Sequence, residues 1–271
     1  MFNIVMKFQI NRNYLITFLT IFIIFSKPNA KLMSFQSEYE ISNLQKEEAR
    51  IPGKTYVDKA SGYLLIDWLN SCQNSWVSNQ RMMTRFINSH GVGTLSEINY
   101  SLNEMNSGDK MDFVLEIKEN AEVQERFYGM AKKNSDLEVK FKQRETKHNF
   151  PVEVIFPRQF LDDVISNLNS KKKIMVRNVY EGTIPDKYFK ISVFFTDEIK
   201  IVKNNIIPKN ISNEFRKIKM AYYQDNEQTP IFEQTVLLND QGIANSFQYD
   251  YPDYSLYLKL KKIKLVPSEC K

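Results

Sequence analysis

The chain has 271 residues, 37 Lys and Arg against 32 Asp and Glu, and 42% hydrophobic residues, a composition that excludes a wholly disordered protein. Lys7, Arg12 and Lys27 stand in the first thirty residues with no acid beside them, so the rest of the chain is within two charges of neutral. The overall basic excess therefore gives no support for a nucleic-acid-binding surface.

Lys7 and Arg12 precede an apolar run from Tyr14 to Phe25, followed by Ser26, Lys27, Pro28, Asn29 and Ala30. A basic head, about 12 apolar residues and a small residue at the exit are the parts of a secretory signal peptide. The reading is a signal peptide over residues 1–30, cleaved after Ala30. Pro28 stands where a small residue is preferred, and the alternative is an uncleaved anchor. The run falls short of the roughly 20 apolar residues that a spanning helix needs. No later stretch approaches that length, so residues 31–271 are expected to form one soluble domain without stable membrane insertion.

Within that domain, period-two alternation recurs. Ile98, Tyr100 and Leu102 share one face, then Met111, Phe113, Leu115 and Ile117 do so more strongly. Residues 158–169 break the pattern: Phe160, Leu161, Val164, Ile165 and Leu168 fall at helical spacing behind Pro157, with Asp162 and Asp163 toward the positive end and Lys171 to Lys173 near the negative one. Alternation resumes at Phe189, Ile191, Val193 and Phe195. The polar stretch 200–213 reads as a long loop. Phe232, Gln234, Val236 and Leu238 form a weaker strand pattern, and Tyr254, Leu256, Leu258 and Leu260 a clear one. Gly53, Gly62, Gly108, Gly129, Gly182 and Gly242 punctuate the runs. Half-buried antiparallel strands with one substantial helix predict an all-β sandwich, barrel or curled sheet, the helix plugging an end or covering a face.

Candidate chemistry is sparse. Export implies an oxidising compartment, where Cys72 and Cys270 read as one intrachain disulfide closing a loop of about 200 residues. An intermolecular bridge and two free thiols are the alternatives. His90 and His148 both read as exposed loop residues rather than catalytic bases, and two cysteines without a histidine pair do not complete a metal site. Asp67, Glu97 and Glu104 are the carboxylates that could work as an acid and base pair, but their strands also explain them as solvated faces. Lys171 to Lys173 and the group Lys259, Lys261, Lys262 and Lys264 read as wet surface. An apolar-lined curled sheet could hold an acyl chain, and the same side chains could equally fill a core.

The order of motifs adds a resemblance. Ala60-Ser61-Gly62-Tyr63 leads to Asp67-Trp68, Ser71-Cys72, Trp76 and Arg81. Gly108-Asp109-Lys110-Met111-Asp112-Phe113 and Phe127-Tyr128-Gly129-Met130-Ala131 follow, and the helix opens with Phe156-Pro157. The chain ends through Pro230-Ile231-Phe232-Glu233, Leu237, Gln241-Gly242-Ile243, Asp250-Tyr251-Pro252-Asp253-Tyr254, Leu265, Pro267 and Cys270. From about Tyr39 to Cys270 this resembles the EipB family of envelope-integrity proteins. Pro252 replaces a glycine, and Gln241 an asparagine, usual in that family. The resemblance implies an antiparallel β-spiral, an open barrel-like curled sheet with a helix at one end, similar to periplasmic lipoprotein carriers. It also implies a Cys72–Cys270 disulfide, periplasmic location, no enzymatic activity, no cofactor, and a periplasmic tetratricopeptide-repeat protein as partner. The functional expectation is envelope support through protein contacts, with carriage of lipid, lipoprotein or another envelope component on the concave apolar face as the alternative.

Overall fold

A computed structural model describes residues 32–44, 55–71, 73–142, 146–203, 205–224 and 227–267. The predicted signal segment, residues 1–30, and both cysteines of the predicted disulfide, Cys72 and Cys270, lie outside the described residues.

The elements are β1 (Phe35–Leu44), β2 (Val57–Ser71), β3 (Ser75–Asn88), β4 (Gly93–Met105), β5 (Lys110–Glu119), β6 (Glu122–Lys133), β7 (Leu137–Phe141), β8 (Lys147–Phe150), α1 (Pro157–Asn167), β9 (Ile174–Val179), β10 (Phe189–Ile201), β11 (Glu214–Gln224), β12 (Phe232–Leu238), β13 (Ala244–Asp250) and β14 (Ser255–Leu265). All fourteen strands form a single sheet in the order β8-β7-β6-β5-β4-β3-β2-β1-β14-β13-β12-β11-β10-β9. Every strand-to-strand ladder is antiparallel. The chain thus makes two meanders, β1–β8 and β9–β14. They join at a seam where the first strand pairs with the last, Phe35 opposite Leu265 and Leu44 opposite Ser255.

The sheet rolls without closing as a ladder. Its two edges are latched by the chain that leaves β8: the Ile155 amide donates to the Asn178 carbonyl at 2.9 Å, and the Tyr180 amide donates to the Ile155 carbonyl at 2.9 Å. That single parallel bridge, Ile155 with Val179, satisfies backbone groups that a bare edge would leave open. The fold is therefore all-β with one helix among the described residues, built as an open, barrel-like curled sheet, as the alternation and the resemblance predict.

The predicted faces hold. Met111, Phe113 and Leu115 are buried, as are Leu256, Leu258 and Leu260. A register shift in β1–β14 after Glu38 turns both Lys261 and Lys262 outward, where they pair with Glu40 and Glu38. The predicted helix at 158–169 becomes Pro157–Asn167, and the predicted long loop begins at Val202 rather than Lys200, because Lys200 and Ile201 still pair with Phe215 and Glu214. Two glycines expected between strands lie inside them: Gly62 in β2 and Gly129 in β6. Gly129 sits there because a Cβ would fall 2.7 Å from both the Phe113 ring and the Lys140 carbonyl oxygen, so the sheet uses it for close approach rather than for a turn.

Helix α1 lies against the ends of several strands. Its Gln159 side chain abuts Gly108 in the β4–β5 turn, and Leu161 and Ile165 abut Gly242 in the β12–β13 turn. Asp163 pairs with Arg177 of β9 at 2.6 Å. Phe160, Val164 and Ile165 supply the buried stripe. Asp162 and Asp163, expected near the positive end, stand in the middle of the helix and pair with Arg158 and Arg177 instead. The acid at the positive end is Glu104, from β4.

Candidate ligand-binding lumen

Cross-strand pairing fixes which side chains share the concave face. One inward row runs Trp68, Ser78, Leu102, Phe113, and parallel rows lie beside it. Near the turns that hold α1, these rows are sealed: Trp68, Trp76, Leu102, Met111, Ile218, Val236 and Leu238 are all buried. Farther along the same strands burial is mixed. Gln80, Met82 and Phe86 of β3, Ile98 of β4, Phe232 of β12 and Phe247 and Tyr249 of β13 keep open surface, while Leu64, Thr84, Tyr222, Leu256 and Leu258 are buried. The interior is closed beside the helix and less completely covered beyond it.

The filled part is organised by Glu104, which is fully buried. Its carboxylate accepts the Arg158 amide at 2.7 Å and the Gln159 amide at 3.2 Å, and the Arg158 Nε lies 3.5 Å away. Phe156 at the N-cap position offers no side-chain oxygen; Gln159 Oε1 accepts the Phe156 amide at 3.4 Å, and a strand residue 54 positions earlier satisfies the free amides of Arg158 and Gln159. Burial pushes the Glu104 carboxyl up to about 7, outweighing the pull of those amides and of Arg158.

The segment after β9 packs into the core of the first meander. Tyr180 is fully buried, edge-on to Phe113 with centroids 5.7 Å apart. Gly182 follows at φ +71°, with its Cα so near Phe113 that a Cβ would lie 2.7 Å from the ring. Between them, the Glu181 carbonyl accepts the Tyr100 hydroxyl from β4. These contacts carry a strap from the first strand of the second meander across to β4 and β5 of the first.

The Glu181 side chain has an unusual setting. It keeps open surface, yet burial pushes its carboxyl up to about 7. Its charge acts on Tyr100, Tyr222 and Tyr249, from β4, β11 and β13, and helps raise all three hydroxyls above the ordinary phenol range after burial itself. Tyr249 likewise keeps open surface while burial raises it. Tyr222 donates to Gln234 at 3.1 Å.

Aromatic rings extend this lining without a break. Phe189 meets Tyr222 at 5.9 Å, Tyr222 stacks on Phe232 at 4.2 Å, and Phe232 leads to Tyr251 at 5.6 Å. Tyr251 then stacks on Tyr254 at 4.8 Å, which meets Phe86 of β3 at 5.5 Å. Offset and edge-on pairs at these separations are favourable beyond their buried area.

The histidines and carboxylates singled out from sequence share no site. His90 is exposed in the β3–β4 turn, as expected; His148, expected in a loop, lies on β8 with its ring 6.0 Å from that of Phe141. Asp67 and Glu97 point outward, toward Gln36 and Arg81, while Glu104 points inward, so these three carboxylates share no cleft. Lys171 to Lys173 and Lys259, Lys261, Lys262 and Lys264 are exposed. Glu181 escaped notice because it lies between strands, in Tyr180-Glu181-Gly182, where alternation says nothing about direction. The neighbouring Gly182 is the one local hint of a close approach.

A family model described as EipB-like matches residues 27–267. The chain belongs to the EipB-like family. Among solved structures it is similar to a β-barrel-like protein of the domain-of-unknown-function family DUF1849 from Brucella abortus. That pair has a TM-score of 0.79 at 19% identity, over 88% of this chain and 99% of the other. At that identity the likeness speaks for the fold alone. A DUF1329 family protein from Desulfovibrio piger ATCC 29098 also aligns, at 10% identity over 86% of each chain, but its TM-score of 0.25 carries no argument. No curated protein matches the chain.

Proposed function

We propose that this EipB-like protein is a non-enzymatic periplasmic binding protein that supports cell-envelope integrity, and that its working part is the hollow lumen, which takes a lipid or the acyl portion of a lipoprotein. The observation that carries this reading is the set of inward aromatic and aliphatic side chains away from α1 that keep open surface, Met82, Phe86, Ile98, Phe232 and Phe247. An apolar concavity with a few inward polar groups is the ordinary form of a site for an apolar ligand. Export rests on the signal-like residues 1–30. No helix among the described residues is long and apolar enough to cross a membrane.

A second reading, contact with a protein such as a tetratricopeptide-repeat partner, is favoured by a separate patch. Ile174 and Val176 on edge strand β9 are 54% and 43% exposed, and Phe194, paired with Ile174, is 41% exposed. Apolar residues on the outer face of an edge strand suit a partner that adds to the sheet.

The Cys72–Cys270 bridge belongs to the same proposal. Phe35 pairs with Trp68 on one side and Leu265 on the other, so β2 and β14 run out of the sheet at the same end, flanking β1. Ser71 directly precedes Cys72, and Pro267 is the last described residue before Cys270. A bridge just beyond them would fasten the seam between the meanders.

The lumen reading is tested by filling it. Met82→Trp adds bulk to a partly exposed inward position of β3. In a strain lacking the native protein, it is expected to fold, by circular dichroism, yet fail to restore detergent resistance. Full complementation by a folded Met82→Trp protein would overturn the lumen as the working part.

A further inference from the structure

The outer face of the seam between the meanders holds a groove that the lumen reading does not use. In the β1–β14 ladder Gln36 stands opposite Lys264 and Glu38 opposite Lys262, and in the β1–β2 ladder the same two residues stand opposite Asp67 and Leu65. These side chains share the outward face, because Phe35, Ser37 and Tyr39 alternate with them and are buried inward. The register shift after Glu38 adds Lys261 to the same side, so two successive lysines leave β14 together. A bulge re-aims a side chain in this way without ending the ladder. The chain after β10 then brings Asn205 and Ile206 beside these residues, and together they line a cavity of about 620 Å³. That volume lies within the roughly 300–1,000 Å³ of small-molecule sites.

The lining is divided between apolar surface and charge. Leu65, which is 39% exposed, Ile206 and Ile263 are its apolar part. Its bases are Lys261, Lys262 and Lys264, and its acids are Glu38 and Asp67. Both acids are already engaged: Glu38 accepts the Lys262 ammonium at 2.9 Å and Asp67 accepts the Gln36 amide at 3.0 Å. Lys261 pairs with Glu40, which stands outside the lining, at 2.7 Å. Lys264 has no carboxylate partner among the described residues, and neither has Lys259 farther along the same face of β14. Positive charge is thus left over at one place, in a chain that beyond its first thirty residues is within two charges of neutral. Unspent positive charge beside apolar surface is complementary to an anionic head group that carries hydrocarbon. A free anion has no use for the apolar part, and a neutral lipid has none for the lysines. An acidic protein surface would meet the same lysines, but a stable one needs on the order of 800 Å² from each partner, not one enclosed pocket.

We propose that this groove docks the protein on a bilayer surface by taking the phosphate-bearing head group of an anionic phospholipid. Lys261, Lys262 and Lys264 surround the phosphate, and Leu65, Ile206 and Ile263 meet the beginning of the hydrocarbon. Docking of this kind is peripheral and reversible. The lumen lies on the opposite face of the same strands, so the two sites act separately.

Sedimentation of the purified protein with vesicles tests this. One preparation is phosphatidylcholine alone, the other phosphatidylcholine mixed with phosphatidylglycerol. The expected result at low salt is binding to the mixed vesicles tighter by about tenfold, lost as salt is raised. Lys261→Gln, Lys262→Gln and Lys264→Gln combined should abolish the preference. Lys171→Gln, Lys172→Gln and Lys173→Gln combined make the same change in net charge elsewhere and should keep it. Both variants should unfold at the native urea midpoint, because exposed ion pairs contribute little to stability. Leu65→Ser leaves every charge in place and should still weaken binding by about threefold. Met82→Trp fills the lumen and should bind vesicles as the native protein does, so a failure of the groove and a failure of the lumen are read apart. Equal binding to the two vesicle preparations, or equal loss from the two lysine variants, would overturn the groove as a docking site. Binding that Leu65→Ser leaves unchanged would reject the lipid as occupant in favour of charge alone. Capture of poly-glutamate by the native protein, with no binding to mixed vesicles, would replace the lipid with an acidic protein segment.

Discussion

Glu104 and Glu181 are both carboxyls that the fold pushes up to about 7, from an ordinary value of 4.5, by burial. The folded protein therefore holds protons in this range that the unfolded chain has released. The sign follows directly: the contribution of these two groups to stability is greatest below about 4.5, falls as pH rises through the window from there to about 7, and levels off above it. Urea unfolding at pH 5 and pH 8 should show the lower midpoint at pH 8, and Glu181→Gln should shrink the difference without abolishing it, since Glu104 remains. A midpoint that rises with pH across that window, in native protein, would contradict the burial of both carboxyls. Gly182 makes a second prediction at this scale. Alanine there meets both an unfavourable backbone angle and the Phe113 ring, so Gly182→Ala should cost about 1–3 kcal/mol by the same unfolding measurement. Residues of this kind are poorly legible in sequence. The strand that carries Glu104 announces its inward face, yet an acid there reads as a solvated position until the helix amides above it are seen.

At the scale of elements, helix α1 owes its place to its apolar stripe and to a cap from another part of the chain. Phe160 is 8% exposed, and Phe160→Ala should destabilise the protein by about 3–5 kcal/mol, read as a loss in urea midpoint with unchanged slope. The strands were the most legible part of the sequence. Phe232 to Leu238 reads as a strand and is one, and Met111, Phe113 and Leu115 read as a buried face and are one. Alternation works there because each strand has one wet side. It could not say which strands are neighbours: β1 pairs with β14 across more than 200 positions, and only the folded sheet brings them together. It also could not distinguish a filled interior from a hollow one, because Leu102 and Ile98 occupy equivalent places in the pattern while only the first is buried.

For the whole molecule, the seam is the slow and vulnerable feature. Each meander consists of local antiparallel pairs, but joining β1 to β14 requires closing nearly the entire chain, and such non-local pairing costs folding speed. A bridge from Cys72 to Cys270 would remove much of that closure entropy from the unfolded state, so Cys72→Ser with Cys270→Ser should lower stability by about 2–5 kcal/mol and slow refolding from urea. Two meanders fastened at the centre, latched at the edges through Ile155 and covered at one end by α1, leave part of the concave face, including Met82, Phe86 and Ile98, partly exposed. The most direct measurement of what occupies it is native mass spectrometry of protein expressed in its own host and purified without detergent. The account predicts a folded monomer mass carrying an amphiphile of a few hundred daltons or more, lost when the protein is unfolded in organic solvent. A bare polypeptide mass from the native host, together with failure to take up dodecyl maltoside, would contradict it.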